Sequence, residues 1–311
     1  MNMTNTSTYI YHELQRRHVP VEIIHEKSAL MRYKYNDKWH LLEGCLTEKA
    51  TIISCHICDN KIITEMFARN VGLPVLKSVQ FESDEQATAF MQQNGPIVVK
   101  PVSAAHGHGI SLNVVSKTAL KNSLRAVRKY SKAPPVLQQM VYGKDIRILV
   151  IGGNYQAAVR RVPATVIGDG EHTIKQLIEI ENNQSYRSSK KSGELKIISL
   201  HGAKVFLGSR IDTVPKKAQH VAVVGVGNTS MGGHGEDITD DIPQEVRKKS
   251  ELFVRALNLP VCGIDIMLED NGDYHFIEAN ARPGFGPHHH PRVGTRRDVT
   301  KQFVDCLLEQ Q

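Results

Sequence analysis

The stretch from Pro260 to Pro283 constrains this chain more than any other. Asp270-Asn271-Gly272-Asp273 lies between two apolar runs, and Asn-Gly is a strong short signal for a two-residue hairpin loop. With Asn271 and Gly272 as the loop, Asp265 stands directly opposite Glu278, their Cβ atoms about 5 Å apart. Asn280, two residues on, shares their face because side chains alternate along a strand. Ile264, Ile266 and Leu268 then point to the other face, with Ile277 and Ala279 opposite them. Two carboxylates this close repel, so one is protonated or a cation sits between them. A donor set made only of oxygens suits a hard ion, magnesium or manganese, better than zinc. The bland alternative is an exposed acidic hairpin face with no ion. The apolar neighbours, and the Ala281-Arg282-Pro283-Gly284 loop that follows, favour the metal.

Elsewhere, helices and hairpins alternate without regular βαβ spacing, which gives an α+β fold with antiparallel sheets partly covered by helices. The pattern predicts a helix near Tyr9–Arg17 and short strands around Val21–Ile24 and Thr51–Ser54. A helix from Asn60 to Val71 stops at Gly72-Leu73-Pro74. Ser83-Asp84-Glu85-Gln86 reads as a capping box. Strands are expected at Ile97–Lys100, Ile110–Val115, Val136–Val141, Ile146–Ile151 and Tyr155–Val162, with helices from Ser116 to Tyr130 and over Thr173–Glu181. Gly152-Gly153 reads as the turn of a hairpin in which Asp145 pairs with Arg160. Residues 182–235 are polar and glycine-dotted and read as a lid. Pro243 opens a helix to Asn258, and another starts near Asp298.

A net charge of +7 favours anionic ligands such as nucleotides or acidic small molecules. Nucleic acid is not expected, because the basic clusters are short, scattered and not interleaved with aromatic residues. No apolar run approaches the roughly 20 residues of a membrane helix, and the leader Met1–Thr8 is polar, so a cytosolic protein without membrane contact is expected. Five cysteines, an odd count, suit reduced thiols. Cys55 and Cys58 have CxxC spacing, but with no second CxxC a buried pair is favoured over zinc. His288-His289-His290 reads as loop packing. Lys100 ends an apolar strand before the glycine loop His106-Gly107-His108-Gly109. That loop is neither a Walker A nor a Rossmann fingerprint, but a lysine beside backbone amides can hold phosphate oxygens.

Seven blocks, taken in order, carry a family resemblance. They are Asp59-Asn60-Lys61, then Val98-Val99-Lys100-Pro101, then His106 to Leu112. Gly143 to Val150 and Arg161 to Gly170 follow, then Asn228 to Gly233. The last joins Gly263-Ile264-Asp265 with Glu278 to Gly284. Together the chain resembles the ATP-grasp superfamily, and within it the ligase domain of cyanophycin synthetases and the glycine-adding domain of fused bifunctional glutathione synthetases. The resemblance implies two α+β lobes clasping ATP. A short N-terminal substrate-side segment would cover 1–58, a small lobe 59–142, and a large lobe 143–311 with the lid at about 182–235. Lys61, Lys100 and the His106, Gly107, His108, Gly109 loop would hold phosphates. Gln138, Gln139 and Val141 would line the adenine hinge, and Asp145 would reach the ribose. Asp265, Glu278 and Asn280 match the magnesium ligands, in agreement with the hairpin reading. Arg161, Asn228 and Arg282 would serve the transferred phosphoryl group and the acyl phosphate.

The implied reaction joins a carboxylate to an amine through an acyl phosphate, with amino acids or short peptides as substrates; dimers are common in the superfamily. Three other readings stay open: a ligase adding amino acids to a protein terminus, an ATP-binding regulatory relative, and a kinase acting on a hydroxyl. Gln138 departs from the pattern, which usually has glutamate there, as do Ala104, Ala105 and His108 in the phosphate loop. The segment before Lys61 is short for a substrate lobe.

Overall fold

The computed structural model describes residues 3–103, 109–188, 195–225, 227 and 231–309. The chain divides into two compact units. The first comprises Met1–Glu48, Gln156–Ile242 and Gly284–Gln311; the second comprises Lys49–Tyr155 and Pro243–Pro283.

The first unit begins with helix α1 (Asn5–Arg16), started by the Thr4 hydroxyl accepting from the Ser7 amide at 3.3 Å. Strands β1 (Val21–His25), β2 (Leu30–Tyr35), β3 (Lys38–Glu43) and β4 (Leu46–Thr47) follow as an antiparallel sheet in that order. Tyr35 pairs with Lys38, so Asn36-Asp37 is a two-residue loop. Both residues take positive φ, 48° and 61°, as such a turn demands. Sequence patterning identified only the first of these strands.

In the second unit, Thr51–Ser54 is not the expected strand. It opens helix α2 (Ile52–Asp59), because the Thr51 hydroxyl accepts from the Ser54 amide at 3.0 Å. Asn60 ends α2 and starts α3 (Lys61–Asn70), its Oδ1 accepting from the Ile62 and Ile63 amides at 3.1 and 3.2 Å. After β5 (Ser78–Gln80), Ser83 caps α4 (Asp84–Asn94), which ends at Gly95 with φ 74°. Gln86 completes only half of the box, since its side chain accepts from the Glu82 amide. Next come β6 (Ile97–Lys100), β7 (Ser111–Val114), α5 (Lys117–Arg128, capped by Ser116) and β8 (Val136–Gln139). Their sheet runs β5-β8-β6-β7. Ala87, Phe90, Ile97, Val99, Leu120, Val127 and Leu137 form the core between that sheet and its helices.

Strand β9 (Lys144–Ile151) ends at Gly152-Gly153, both at positive φ, before β10 (Asn154–Val162). Returning to the first unit, β11 (Thr165–Ile167) precedes α6 (Ile174–Asn182), which opens on a full capping box from Thr173 and Gln176. The stretch expected to be a lid carries β12 (Arg187–Ser188), β13 (Leu195–Lys196), α7 (Leu200–Leu207), β14 (His220–Ala222) and the start of β15 (His234–Asp237). It is not a bare loop, because Ile198, Ala203, Leu207, Ile211, Val223 and Val224 are buried with Ile174, Leu177 and Ile178 of α6. Within this unit β14 pairs with β11, and β15 with β10.

Helix α8 (Gln244–Leu257) stops at Asn258 in the left-handed conformation, φ 51°. It leads to β16 (Val261–Leu268) and β17 (Tyr274–Asn280). In the second unit β16 is sandwiched between β9 and β17, antiparallel to both. Phe253 of α8 packs on Phe276 of β17 and Phe67 of α3. The chain ends in the first unit with α9 (Gly286–His289) and α10 (Val299–Glu309), which packs on α1 and is tied to it by Arg17 and Asp305 at 2.6 Å. Among the described residues no helix is long and apolar enough to cross a membrane.

Candidate active site

The hairpin β16–β17 sets Asp265 opposite Glu278 and Gly263 opposite Asn280, as expected, but by another route. Leu268 pairs with Tyr274, and the Glu269 amide donates to Asp273 carbonyl at 2.8 Å. The loop is therefore three residues, Asp270 to Gly272, closed by Gly272 amide to Glu269 carbonyl at 3.1 Å with Gly272 at φ 92°. That slips the register by one. A bulge between the Ile266–Phe276 and Asp265–Glu278 pairs restores it. As a result Phe276, not Ile277, is the buried partner of Ile266.

The facing carboxylates do not require an ion for neutrality. Arg147, opposite Asp265 on β9, grips it with two hydrogen bonds, from Nε to Oδ1 and from a terminal nitrogen to Oδ2 at 2.9 Å. Lys61 Nζ lies 3.4 Å from Glu278 Oε2. From Arg147 the charges run Arg147, Asp265, Glu278, Lys61, two of each sign, which offsets the repulsion between the two carboxylates. Asp265 is 1% exposed, whereas the Glu278 side chain is 33% exposed. Among the described residues no group of three or more His, Cys, Asp or Glu could hold a metal. A cation here would thus have two carboxylates and the Asn280 amide oxygen, which already accepts from the Arg282 amide at 2.8 Å. Three hard oxygens fit magnesium that arrives with phosphate oxygens of its own.

Lys100, at the end of β6, is 3% exposed. Its Nζ donates to Gln138 Oε1 at 2.9 Å and to Glu65 Oε1 at 3.2 Å. Burial pushes its pKa below the ordinary lysine value, and Lys61 adds to this; Glu65 and Glu278 oppose it. Gln138, expected at the adenine hinge, is buried and turned to this network, its Nε2 donating to Glu65 Oε1 at 2.7 Å. Gln139 and Val141 are half-buried, the former bonded through its backbone to Lys77 carbonyl at 2.8 Å. Asp145 sits on β9 opposite Met267.

Arg282 is exposed at the start of the loop after β17. Gly109 has φ 75°, and a side chain there would meet the Tyr130 ring at 3.0 Å. His106, Gly107, His108 and Asn228 lie outside the described residues. Arg161, in the first unit, pairs with Gly235 of β15. Gly227 lies against the Arg161 backbone so tightly that a Cβ would come within 2.5 Å of its carbonyl oxygen. Arg160 faces Glu236 at 3.4 Å. Cys58 is buried, and the Cys262 thiol of β16 beside it together with burial pushes its thiol pKa up. His289 packs on Tyr9 and bonds Thr300 Oγ1 at 2.6 Å. Sequence reasoning missed Arg147 and Glu65. The second had a signal, since Lys61 and Glu65 are four apart on one helix and share a face.

The architecture is the ATP-grasp fold. Residues 60–170 match the ATP-grasp domain of prokaryotic glutathione synthetase. The crystal structure of a bifunctional glutathione synthetase from Pasteurella multocida superposes with a TM-score of 0.71 at 26% identity, covering 100% of this chain and 44% of that one. Among curated relatives, the chain is 29% identical over 309 residues to cyanophycin synthetase of Crocosphaera subtropica, covering 95% of this chain and 35% of that one. It is 27% identical over 325 residues to the glutathione biosynthesis bifunctional protein of Pasteurella multocida, covering 99% and 43%. The chain therefore spans well under half the length of these relatives.

Proposed function

We propose that this chain is an ATP-dependent ligase joining the carboxylate of one amino acid or short peptide to the amine of another, with release of ADP and phosphate. The observation that carries the reading is the charge row of Arg147, Asp265, Glu278 and Lys61, with the buried Lys100 ammonium beside Lys61 in the same unit. A neutral row of this kind holds no dication strongly by itself but can take up a polyanion that brings one.

Asp265, Glu278 and Asn280 would hold magnesium, which supplies positive charge at the phosphate oxygens when bound. Lys61 and Lys100 would neutralise the remaining phosphate charge and orient the chain of phosphates. A substrate carboxylate oxygen attacks the γ-phosphorus and ADP leaves, giving an acyl phosphate. The amine nitrogen then attacks the acyl carbon, phosphate departs, and the nitrogen gives up a proton as the amide forms. Catalysis here is positioning and charge neutralisation, set by residues on rigid strands. Arg161, Asn228 and Arg282 are proposed for the transferred phosphoryl group and the acyl phosphate, and Asp145, Gln139 and Val141 for the nucleoside. Five free cysteines fit a cytosolic enzyme, and a homodimer is proposed as its working state.

The test is phosphate release from ATP and magnesium with amino acids offered singly and in pairs, and mass spectrometry of the products. A pair that yields a product lighter than its sum by one water establishes the ligase. No condensed product from any amino acid or short peptide, with ADP bound, would refute small-molecule ligation and point to a protein terminus or a regulatory role.

A further inference from the structure

Lys100 is a buried cation, and burying an ammonium is costly unless it is paired. Its partners form a closed network drawn from four elements of the second unit. Glu65 of α3 accepts from both Lys100 and the Gln138 amide through Oε1, at 3.2 and 2.7 Å. The other oxygen of Glu65 accepts from the Ser78 hydroxyl of β5. Gln138 of β8 returns its own oxygen to Lys100 at 2.9 Å. Glu65, Lys100 and Gln138 are each 4% exposed or less. An ammonium carries three donors. Two are used by Glu65 and Gln138 among the described residues, which leaves one for a ligand oxygen. A purely structural ion pair would gain nothing from such an arrangement, since an apolar residue at Lys100 would fill the strand end without the cost of burying charge.

We infer that Glu65 is a positioning residue of the nucleotide site: together with Gln138 and Ser78 it fixes the Lys100 ammonium so that its remaining N–H meets an anionic phosphate oxygen. The inference rests on the ligase reading only in that Lys100 meets a nucleotide phosphate. Among the described residues the charged and titratable groups around Lys100 are Glu65 and Lys61 of α3 and Glu278 of β17, with neutral Gln138 beside them. Burial and Lys61 disfavour the ammonium, and Glu65 opposes them. Without Glu65 the pKa of Lys100 falls further, and phosphate binding is lost at a lower pH.

The test uses ADP with magnesium as the probe, titrated calorimetrically between pH 6 and 9.5, so no acyl acceptor is needed. Glu65→Gln should weaken ADP about tenfold at pH 8 and move the alkaline loss of affinity to lower pH, as expected when a charged partner is removed. The double variant Glu65→Gln/Gln138→Glu, which returns one carboxylate to the network from the strand side, should recover affinity to within about threefold of wild type. Ser78→Ala, which frees only the second Glu65 oxygen, should weaken ADP about threefold and serves if Glu65→Gln does not fold. The role of Glu65 is overturned if wild type binds ADP while Glu65→Gln binds equally well across the pH range. It is equally overturned if the double variant is folded but no tighter than Glu65→Gln, or if Ser78→Ala leaves affinity unchanged. Failure of wild type to bind ADP would overturn the nucleotide reading itself, and this one with it.

Discussion

Replacing Asp265 by asparagine and Glu278 by glutamine should separate two carboxylates that look equivalent on paper. Both are proposed metal ligands, and each substitution is nearly isosteric, so both should abolish magnesium-dependent turnover. Their effects on stability should differ. The Asp265 side chain is 1% exposed and that of its partner Arg147 13%. Losing the carboxylate removes a charged partner that holds the Arg147 guanidinium by two hydrogen bonds, and breaking a buried pair costs about 3–5 kcal/mol. Asparagine keeps one acceptor oxygen, so about 3 kcal/mol is expected. Glu278 is a third exposed and holds Lys61 at 3.4 Å. Water can replace part of that contact, and about 1 kcal/mol is expected. At roughly 2–4 °C per kcal/mol, Asp265→Asn should melt about 6–12 °C lower and Glu278→Gln no more than about 4 °C lower. Adding Arg147→Met to Asp265→Asn removes the guanidinium that lost its carboxylate and should regain about half the loss. Scanning calorimetry beside a phosphate-release assay reads all three variants. Equal melting of wild type and Asp265→Asn would refute the reasoning, as would an Arg147→Met addition that destabilises further.

Three other outcomes follow from the same geometry. A Cβ at Gly263 would lie 2.9 Å from Arg147 Cδ and 3.0 Å from Pro283 Cβ. Gly263→Ala should therefore push Arg147 off Asp265, cost about 1–3 kcal/mol and weaken ADP binding; unchanged melting would show that the arginine has room to move. Because the charge row is already neutral, magnesium alone should bind weakly, and saturating ADP should tighten it on the order of tenfold or more. Calorimetry with and without ADP measures this directly, and equal affinities would contradict it. Burial holds the His289 pKa down at about 4. The unfolded chain then binds a proton that the folded one refuses, so stability should fall as pH drops from about 6.5 towards 4, by at most about 1.4 kcal/mol per pH unit. His289→Gln, which can still bond Thr300, should flatten that slope; parallel slopes would rule out His289 as its source.

Much of the candidate site was legible along the chain because its groups sit on one hairpin and at strand ends. Alternation put Asp265, Glu278 and Asn280 on one face, and the two errors in reading the hairpin cancelled before reaching them. The loop was read one residue short, since Asn-Gly usually forms the tighter turn, and the bulge leaves no mark in composition. Thr51-Ile52-Ile53-Ser54 read as a strand because β-branched residues favour one; the Thr51 cap decided otherwise. Ser83 and Ser116 were easier, each preceding a clear helical run. Arg147 and Glu65 could not be assigned from spacing, because the charges they balance are far away in sequence. Only the pairing of β9 with β16, and of α3 with the sheet behind it, brings them there.

The three-residue loop and the bulge together isolate the carboxylates mechanically from the tip of their hairpin. A strain introduced at Asp270 to Gly272 must pass the extra residue at Ile277 before it reaches Glu278, and an extra residue can take up a slip that a continuous ladder would transmit. The tip is free to change its length or chemistry over generations, while beyond the bulge a shift of one residue would turn Glu278 and Asn280 away from Asp265. Variation should therefore accumulate on one side of Ile277 and stop abruptly on the other.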